Sequence, residues 1–456
     1  MQLGSMGGLG GLLKALERVG WLLDRNVPVL GCRLGSRSCW NVRGDYWLAG
    51  GFEKSIVSQL FHSTFGVRVS FDERLVVFHR IPAPQSEYAI EVFAEALRLS
   101  AIEYVAGRGW VLHPSGAAAS LAASLGAPTI GVSGPRGRRL KGKRVRLPEC
   151  SIGSRNWVLV SVDGWVGPAR VVGECTVKVK DLAPKGMRLL DPGSMEEAVE
   201  VNAEVVGGLA SEAREFIRRV YARYQASRGR LYVAFSGGSD SATVLSLARE
   251  AVGPENVVAV YVDTGMEFPE TRRYVEKVTS ILGVDLEVVE AEAEPIEEIR
   301  RRGLMTRDDR WCTRLLKLKP LRRFYRSRGV RLILDGARRW ESTTRASTPR
   351  IGENPLIPGV VRALPIHHWP RLAVQLYLYE RGIPFNHLYS KGLTRIGCIS
   401  CPAMHLYELH IAYHLHPWWF EKLAEAVAEH YGLSQREALR LLLVGSWRKA
   451  GGRKAS

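Results

Sequence analysis

The segment LYVAFSGGSDSATVLSLARE, residues Leu231–Glu250, sets an apolar run directly before a cluster of serines and glycines. Gly237 and Gly238 can adopt backbone angles that a Cβ forbids, and they leave the neighbouring amides unscreened. The stretch that follows is predicted to form a helix from near Ala242, and the start of a helix carries partial positive charge. Ser236–Ser241 is therefore predicted to bind phosphate.

Thiols are the second group of residues that could do chemistry. The seven cysteines are Cys32, Cys39, Cys150, Cys175, Cys312, Cys398 and Cys401. They are too few and too scattered for a disulfide framework in a chain of 456 residues, so metal or redox chemistry is the better interpretation for any that group together. Only Cys398 and Cys401 do so closely. Cys32 and Cys39 are assigned no metal, because two thiolates leave a zinc shell open.

The elements that must position these residues change character along the chain. From Leu231 onward, β-branched apolar runs such as LYVAF, VVAVYV, DLEVVE and VRLILDG alternate with amphipathic segments of helix length. This alternation predicts an α/β domain over 231–402, with a parallel sheet flanked by helices. Ligands of such sheets bind at the carboxyl ends of the strands, which is where Ser236–Ser241 falls.

Smaller regions surround this domain. Residues 1–120 predict an α+β region, with a helix around Leu12–Leu23 and strands in LVVFHRI and YAIEVFAEALRLSAIEYV. Residues 121–206 contain short, evenly spaced strands, among them KRVRLP and NWVLVSVDGWVGPARVVG, which predict a small β-barrel. Residues 207–230 predict a polar helical connector, and 403–456 a helical extension with a basic tail.

The composition favours a polyanionic partner. Lys plus Arg number 64 against 46 Asp plus Glu, which gives a formal charge of +18. Such a field attracts nucleic acid, anionic lipid or phosphorylated small molecules. Abundant arginine with sparse Asn and Gln is also weakly typical of thermophiles and would explain part of the charge without a ligand. With no membrane-length apolar run and no secretory signal, we expect a cytoplasmic protein.

The Ser-Gly turn and the four ordered blocks that follow it resemble one family. SGGSDS after a strand resembles the PP-loop of the adenine-nucleotide alpha-hydrolase-like superfamily, whose members bind ATP or a sulfonucleotide. VYVDTGMEFPETRRYVEKV, WCTRLLKLKPLRRFY, DGARRWESTTRA and PIHHWPRLAVQLYLYERGIPFNHLYSKGLTRIGCISCP follow in order. Together they span Leu231–Pro402 and resemble the phosphoadenosine phosphosulfate (PAPS) reductase family.

The resemblance implies roles for particular residues. The phosphates of ATP or of a sulfonucleotide would be bound by Ser236, Gly237, Gly238, Ser239, Asp240 and Ser241. Asp240 would also act in catalysis and reach a magnesium ion, while Asp263 and Thr264 would lie near the nucleoside.

Cationic side chains would complete that site. Arg338 and Arg345 can pair bidentately with phosphate or sulfate oxygens. Lys317 and Lys319 could do likewise, but in an arginine-rich helix they are more simply a solvated face.

The cysteines depart from the family pattern. The ordinary reductase carries its thiolate nucleophile on a C-terminal Glu-Cys-Gly-type segment, and no cysteine follows Cys401 here. Iron-sulfur members have a Cys-Cys pair before the Cys-x-x-Cys pair, whereas only Cys312 precedes Cys398 and Cys401. Three thiolates can still hold a [4Fe-4S] cluster with one open iron, an arrangement that resembles the PP-loop enzymes that thiolate transfer RNA.

Two alternatives to a cluster stay open. Zinc could be held by Cys398 and Cys401 with two of His405, His410 and His414. The histidines could instead simply pack beneath Trp418 and Trp419.

The barrel region resembles a PUA domain, a small RNA-binding module found beside RNA-modifying enzymes. The resemblance rests on NWVLVSVDGWVGPARVVGECTVKVKDLAPKGMRLLDP, which is followed by EEAVEVN. A basic loop adjoins it and would contact RNA phosphates. Its residues are Arg136, Arg138, Arg139, Lys141, Lys143, Arg144 and Arg146. The alternative is a solvated loop.

The sequence therefore predicts an adenine-nucleotide-binding enzyme of the PAPS reductase family that carries out sulfur chemistry. The first hypothesis is ATP-dependent thiolation of RNA, either tRNA or rRNA. One alternative is reduction of PAPS or adenylyl sulfate by Cys312 or an external thiol. Another is an RNA-binding protein that keeps the PP-loop fold only as a scaffold.

Overall fold

The computed structural model describes residues 18–31, 38–41, 44–83, 86–134, 137–148, 156–225, 229–354 and 357–449. The chain divides into two compact units, Met1–Asn202 and Ala203–Ser456. In the described ranges no helix is long and apolar enough to cross a membrane. Cys32, Cys150 and the side chain of Cys39 lie outside the described part, and Cys175 is disulfide-bonded.

The first unit is mainly antiparallel β-structure. Its strands are β1 (Arg18–Leu22), β2 (Val27–Leu30), β3 (Ser38–Asn41), β4 (Tyr46–Leu48), β5 (Val76–Ile81), β6 (Tyr88–Ala94), β7 (Leu97–Val105), β8 (Gly109–Pro114), β9 (Thr129–Gly131), β10 (Arg144–Arg146), β11 (Trp157–Val162), β12 (Trp165–Gly173), β13 (Thr176–Val179) and β14 (Ala183–Pro184). Helices α1 (Gly51–Phe65) and α2 (Gly116–Ser124) lie between them in the chain. The sheets have the orders β2-β1-β3, β4-β5-β6-β7-β8 and β10-β13-β12-β11-β9, with β14 beside β12.

Strand β1 corrects the helix predicted around Leu12–Leu23. The described part of that segment is extended and pairs with both β2 and β3. Val19 and Trp21, two residues apart, are fully buried, and the Trp21 indole donates to Asn26 at 2.8 Å in the turn after the strand. The spacing of the apolar residues fitted either a helix or a strand, and pairing on both edges of β1 stabilises the strand.

The β9–β14 sheet follows the strand pattern predicted for residues 121–206. Alternate residues Val158, Val160 and Val162 of β11 are buried, as are Val177 and Val179 of β13. The period of two places these side chains on one face, where they form a core. The structure therefore has the expected short strands, while the PUA-like identity of this region stays a prediction.

The second unit holds the predicted parallel sheet. Its strands are β15 (Leu231–Ala234), β16 (Val257–Asp263), β17 (Asp285–Glu290), β18 (Leu332–Leu334), β19 (Ile351–Glu353) and β20 (Val361–Ala363). The helices from the connector onward are α3 (Met195–Tyr224), α4 (Ser239–Val252), α5 (Pro269–Leu282), α6 (Pro295–Arg302), α7 (Lys319–Ser327), α8 (Thr343–Ala346), α9 (Arg371–Glu380), α10 (Leu406–Leu415), α11 (Pro417–Tyr431) and α12 (Gln435–Val444). A π-helix, Thr313–Leu318, precedes α7.

The order of this sheet creates a crevice. The strands run β17-β16-β15-β18-β20-β19, all pairs being parallel except the edge pair β19–β20. The chain therefore leaves β15 toward β16 on one side, and only later returns to pair β18 on the other. At such a reversal the loops after the two adjacent strands diverge and leave room for a ligand. The predicted α/β fold of the C-terminal region is confirmed.

Candidate nucleotide and thiol sites

The Ser-Gly turn, Ser236–Ser241, lies at the carboxyl end of β15, beside this crevice. Helix α4 begins at Ser239, earlier than the predicted start near Ala242, with Gly238 as its N-cap. Gly237 has φ +76°, and a Cβ there would lie 2.6 Å from the Thr271 methyl group. The backbone conformation and the lack of space both require glycine. The turn therefore directs the first amides of a 14-residue helix toward the sheet edge.

The loop after β18 closes the other side of the crevice. A Cβ on Gly336 would lie 2.8 Å from the Ser241 amide nitrogen, so this loop packs directly against the start of α4. Arg338 is only 3% exposed, and its Nε lies 3.0 Å from an Asp240 carboxylate oxygen. Its Nη1 also donates to the Trp369 carbonyl at 3.2 Å. Arg338 thus ties the turn to the segment that follows β20.

A third loop, Asn386–Tyr389, holds the turn from another side. The Asn386 amide donates to the Gly237 carbonyl at 3.1 Å, and Asn386 is buried. The Ser239 amide donates to the Tyr389 hydroxyl at 3.0 Å. Both residues lie inside a sequence block that resembles the PAPS reductase family, but their partners are about 150 positions away, so no spacing rule could have found them.

Asp263 and Thr264 end strand β16 at the same edge of the sheet. Asp263 accepts the Gly265 amide at 3.0 Å and pairs with Arg272 at 3.4 Å. The Thr264 amide and hydroxyl each donate to Glu267 at 2.8 Å. Thr264 therefore positions Glu267, a residue that the sequence analysis did not single out.

Glu267 connects this edge to the thiols. Cys398 donates to a Glu267 oxygen at 3.6 Å, and residues 267 and 398 form an isolated antiparallel bridge. Burial, and then the Glu267 carboxylate, raise the pKa of the Cys398 thiol well above its ordinary value. Burial raises the pKa of Glu267 as well.

Cys312, Cys398 and Cys401 are free thiols that lie near one another. Cys401 is one of the charges that raise the pKa of Cys398, and after burial it is the largest influence that raises the pKa of Cys312. Cys312 also contributes to the raised pKa of Cys398. A raised thiol pKa favours the neutral form, so the structure stabilises Cys312 and Cys398 as thiols rather than as thiolates.

The predicted metal ligands do not form a ligand set as they are placed. Among the described residues, no three His, Cys, Asp or Glu side chains are grouped so that they could hold a metal ion. His410 bonds to the Leu443 carbonyl at 2.8 Å, His405 stacks on Tyr407, and His414 is exposed. The predicted packing beneath the tryptophans is not seen for His410 or His414, both of which are exposed.

The remaining cations predicted for the nucleotide site are more exposed. Arg345 pairs with Glu341 of the preceding turn. Lys319 pairs with Glu292 at 3.2 Å, and Lys317 is exposed. Arg345 keeps 42% of its side chain accessible, so its guanidinium can reach a ligand without first leaving a buried pair.

A pair of histidines near Arg338 was also missed. His367 is 4% exposed, and its Nε2 contacts the Arg345 carbonyl at 3.0 Å. Burial, and then the neighbouring His367, lower the pKa of His368 from 6.5 to about 4. The Trp340 indole donates to the His368 carbonyl at 3.1 Å. Both rings are therefore held neutral beside the loop that carries Arg338.

The basic loop lies in the first unit. Arg136 and the side chain of Arg138 are outside the described residues; Arg139, Lys143 and Arg144 are exposed, and Lys141 pairs with Asp181 at 2.8 Å. A cleft of about 540 Å³ is lined by Ser133, Gly134, Leu140, Lys143, Arg144, Val145, Arg146, Leu147 and Pro148. Backbone amides and cations around an open cleft suit a phosphate chain.

Comparison with known proteins finds relatives of this chain. Residues 230–404 match the phosphoadenosine phosphosulfate reductase domain model. An uncharacterized protein of Methanocaldococcus jannaschii is 36% identical over 244 residues, which are 52% of this chain and 50% of that protein. A second one from this organism is 27% identical over 412 residues, 89% of this chain and 95% of that protein.

A relative with a named activity matches a shorter segment. The adenosine 5'-phosphosulfate reductase of Streptomyces coelicolor is 34% identical over 164 residues, which are 36% of this chain and 67% of that enzyme. The chain thus spans about half the length of the first Methanocaldococcus relative, and its similarity to the reductase covers only about a third of the chain.

Proposed function

Because the chain belongs, through residues 230–404, to the phosphoadenosine phosphosulfate reductase domain family, we propose that it is an enzyme that binds an adenine nucleotide and carries out sulfur chemistry. The nucleotide phosphates would bind at the Ser-Gly turn. The reacting sulfur would be handled at Cys312, Cys398 and Cys401.

One observation carries this proposal. Two separate loops converge on the Ser-Gly turn and fix it: the loop after β18 by Gly336 packing and the Arg338–Asp240 pair, and the loop Asn386–Tyr389 by the Asn386–Gly237 bond. A helix N-terminus held in one conformation can bind an anion without a further ordering cost. The thiols belong to the same unit and are linked to the neighbouring β16 edge through Glu267.

The reaction that unites both units is thiolation of RNA. The oxygen of a base carbonyl would attack the α-phosphorus of ATP, forming a carbon–oxygen–phosphorus link and releasing pyrophosphate. A sulfide equivalent would then add at that carbon and AMP would leave with the oxygen, so the carbonyl becomes a thiocarbonyl. Asp240, near the phosphates, and Cys312, among the thiols, would act in these steps, and Mg²⁺ would accompany the nucleotide phosphates.

The thiols have the donor chemistry of an iron-sulfur site but not its geometry. Three soft thiol ligands suit iron-sulfur clusters. As placed, however, the described residues bring no three such ligands to metal-binding positions. A cluster at Cys312, Cys398 and Cys401 would require these side chains to move. Iron and acid-labile sulfide measured on anaerobically purified protein test the cluster directly.

RNA would be bound by the first unit. The exposed Arg139, Lys143 and Arg144 and the adjoining cleft supply cations for backbone phosphates. Contacts of this kind bind and orient RNA but carry no sequence information. We therefore expect RNA affinity to fall steeply with salt.

The experiment that tests thiolation compares thionucleosides in native RNA. Deletion of the gene should remove one thionucleoside, and the purified protein with ATP and sulfide should restore it to RNA from the deletion strain. The Lys143→Gln/Arg144→Gln variant should restore less, while Lys185→Gln/Arg188→Gln, which removes two exposed charges of the first unit outside the cleft lining, serves as a matched charge control. An unchanged thionucleoside profile in the deletion strain would exclude this reaction.

Sulfonucleotide reduction is the second candidate, favoured by the named relative and by the three free thiols. A thiolate would attack the sulfur of adenylyl sulfate or PAPS, and the nucleotide would leave as AMP or its 3'-phosphate. A second thiol would then release sulfite and close a disulfide, and an external dithiol would reduce that bond. Sulfite release by the anaerobic protein supplied with a dithiol distinguishes this reaction from thiolation.

A further inference from the structure

Tyr389 touches the Ser-Gly turn at the point where a phosphate would bind. Its hydroxyl lies 3.0 Å from the Ser239 amide and 3.3 Å from the Ser239 hydroxyl. A Cβ on Gly238 would lie 3.4 Å from the same oxygen, so the phenol lies directly against the turn. Tyr389 as a whole is half-buried, and its hydroxyl lies beside the turn at the carboxyl end of β15.

The Tyr389 hydroxyl proton is available for a stronger hydrogen bond than the one it makes in this structure. The Ser239 amide can only donate, so the Tyr389 oxygen accepts from it. The phenol proton then has the Ser239 hydroxyl as its partner, at the long distance of 3.3 Å. A phosphate oxygen is charged and forms stronger, shorter hydrogen bonds than a neutral hydroxyl. The phenol proton would therefore turn to a phosphate that reaches the turn.

The ring is held so that the hydroxyl keeps this position. The Arg371 guanidinium lies 5.0 Å from the ring centroid and also donates to the Thr394 carbonyl at 3.1 Å. Asn386, in the same loop, is bonded to Gly237. Burial raises the pKa of Tyr389, which keeps the phenol protonated at neutral pH.

We propose that Tyr389 is a phosphate-binding residue of the nucleotide site, whose hydroxyl accepts the Ser239 amide and donates its own proton to a non-bridging phosphate oxygen. This inference rests on the proposed function, because it requires an adenine nucleotide at the turn. It assigns to the loop before the cysteines a direct share in recognising the phosphate chain.

The test is binding of ATP, adenylyl sulfate, PAPS and adenosine to the full-length protein by calorimetry. Tyr389→Phe keeps the ring and removes only the hydroxyl. We expect the phosphate-bearing ligand that the wild type binds best to bind roughly 10-fold more weakly, the usual size of a lost hydrogen bond to a charged group. Adenosine binding, measured by competition at high adenosine concentration, should be equal for the variant and the wild type.

Controls separate the possible failures. Tyr413→Phe, on α10, removes a hydroxyl elsewhere in the same unit and should change no affinity. Equal or tighter nucleotide binding by Tyr389→Phe would overturn the inference, since tighter binding means that phosphate displaces the phenol. Equal losses for nucleotide and adenosine would overturn it in favour of a structural role. If the wild type binds none of the four ligands, the proposed function fails as well.

Discussion

The Ser-Gly turn and the three thiols lie in one unit but differ in how completely they are built. At the turn, Gly237 is bonded by Asn386, Ser239 by Tyr389, and Asp240 by Arg338. At the thiols, burial comes first in raising the pKa of Cys312 and Cys398, and the part of the chain that the structure describes brings no three His, Cys, Asp or Glu side chains together as metal ligands. The turn is held in one conformation, whereas Cys312 and Cys398 are stabilised as neutral thiols.

The two regions differ in which free-energy cost folding has already met. A preorganised anion site binds without ordering its own backbone. Burying a neutral thiol costs little free energy, because no charge is desolvated. Such a thiol needs a base or a change of environment before it reacts, since the thiolate is the nucleophile. We infer that nucleotide binding precedes the chemistry at the thiols, and the following predictions test each half separately.

The largest effect is expected from removing one thiol, which should abolish most of the activity while nucleotide binding is kept. Cys398→Ser should reduce sulfur transfer or sulfite release on the order of 100-fold or more, because the residue would act on the reacting sulfur. Nucleotide affinity, measured by calorimetry, should stay within about twofold, since the Ser-Gly turn does not depend on this thiol. A parallel loss of nucleotide affinity would show that the two regions form one site.

The turn itself should be broken by a single methyl group. Gly237→Ala forces a Cβ to within 2.6 Å of Thr271 at φ +76°. The strained backbone should lower the free energy of unfolding by about 1–3 kcal/mol and weaken nucleotide binding beyond measurement.

The matched control is Gly207→Ala in α3, where an added Cβ meets nothing within 4 Å. This exposed helical position should gain about 0.5–1 kcal/mol in chemical denaturation. Unchanged nucleotide affinity in Gly237→Ala would refute the preorganised turn.

Acid should weaken the side of the turn that Arg338 holds. The folded-state pKa of His368 is lowered from 6.5 to about 4, so between these values the unfolded chain binds more protons. The free energy of unfolding should therefore fall as pH falls from 6.5 to 4, by about 1–3 kcal/mol. His368→Gln should flatten this slope. Urea titrations at several pH values measure it.

The smallest effect concerns the protonation of the thiols. Because the Glu267 carboxylate raises the pKa of Cys398, Glu267→Gln should lower that pKa and speed alkylation of Cys398 by iodoacetamide at pH 8 several-fold. Mass spectrometry resolves the reaction at each cysteine. Glu276→Gln, an exposed change on α5, should leave the rate unaltered. A slower reaction in Glu267→Gln would mean that Glu267 acts as a base toward the thiol.

Local sequence patterns predicted the secondary-structure elements and the place of the turn better than the contacts between residues that are distant in the chain. The β-branched runs were enough to predict the parallel sheet, and SGGSDS to predict a glycine turn into a helix after its strand, because both depend on residues adjacent in the chain. The helix expected around Leu12–Leu23 is a strand over Arg18–Leu22, because pairing on both edges outweighed the local pattern. The partners of Arg338, Tyr389 and Asn386 lie about 100 or 150 positions away, so only the tertiary structure could identify them.

The position of Arg338 differs from what the chemistry of its side chain alone would predict. A guanidinium suits phosphate oxygens, and the family resemblance pointed the same way. In the fold its guanidinium pairs with Asp240, and another of its donors is bonded to a peptide carbonyl. Arg338 is thus placed to orient Asp240, and whether it also meets a ligand stays a prediction.

The π-helix that follows Cys312 lets the chain carry one more residue between that thiol and α7 than regular helical winding would use. Because the wide turn absorbs the extra residue, removing one residue within Thr313–Leu318 should restore regular winding and leave Cys312 in place relative to α7. Removing one residue from α7 itself would instead turn the segment before it by about 100°, since regular helix has 3.6 residues per turn. The wide turn is therefore the part of this segment that tolerates a change in length.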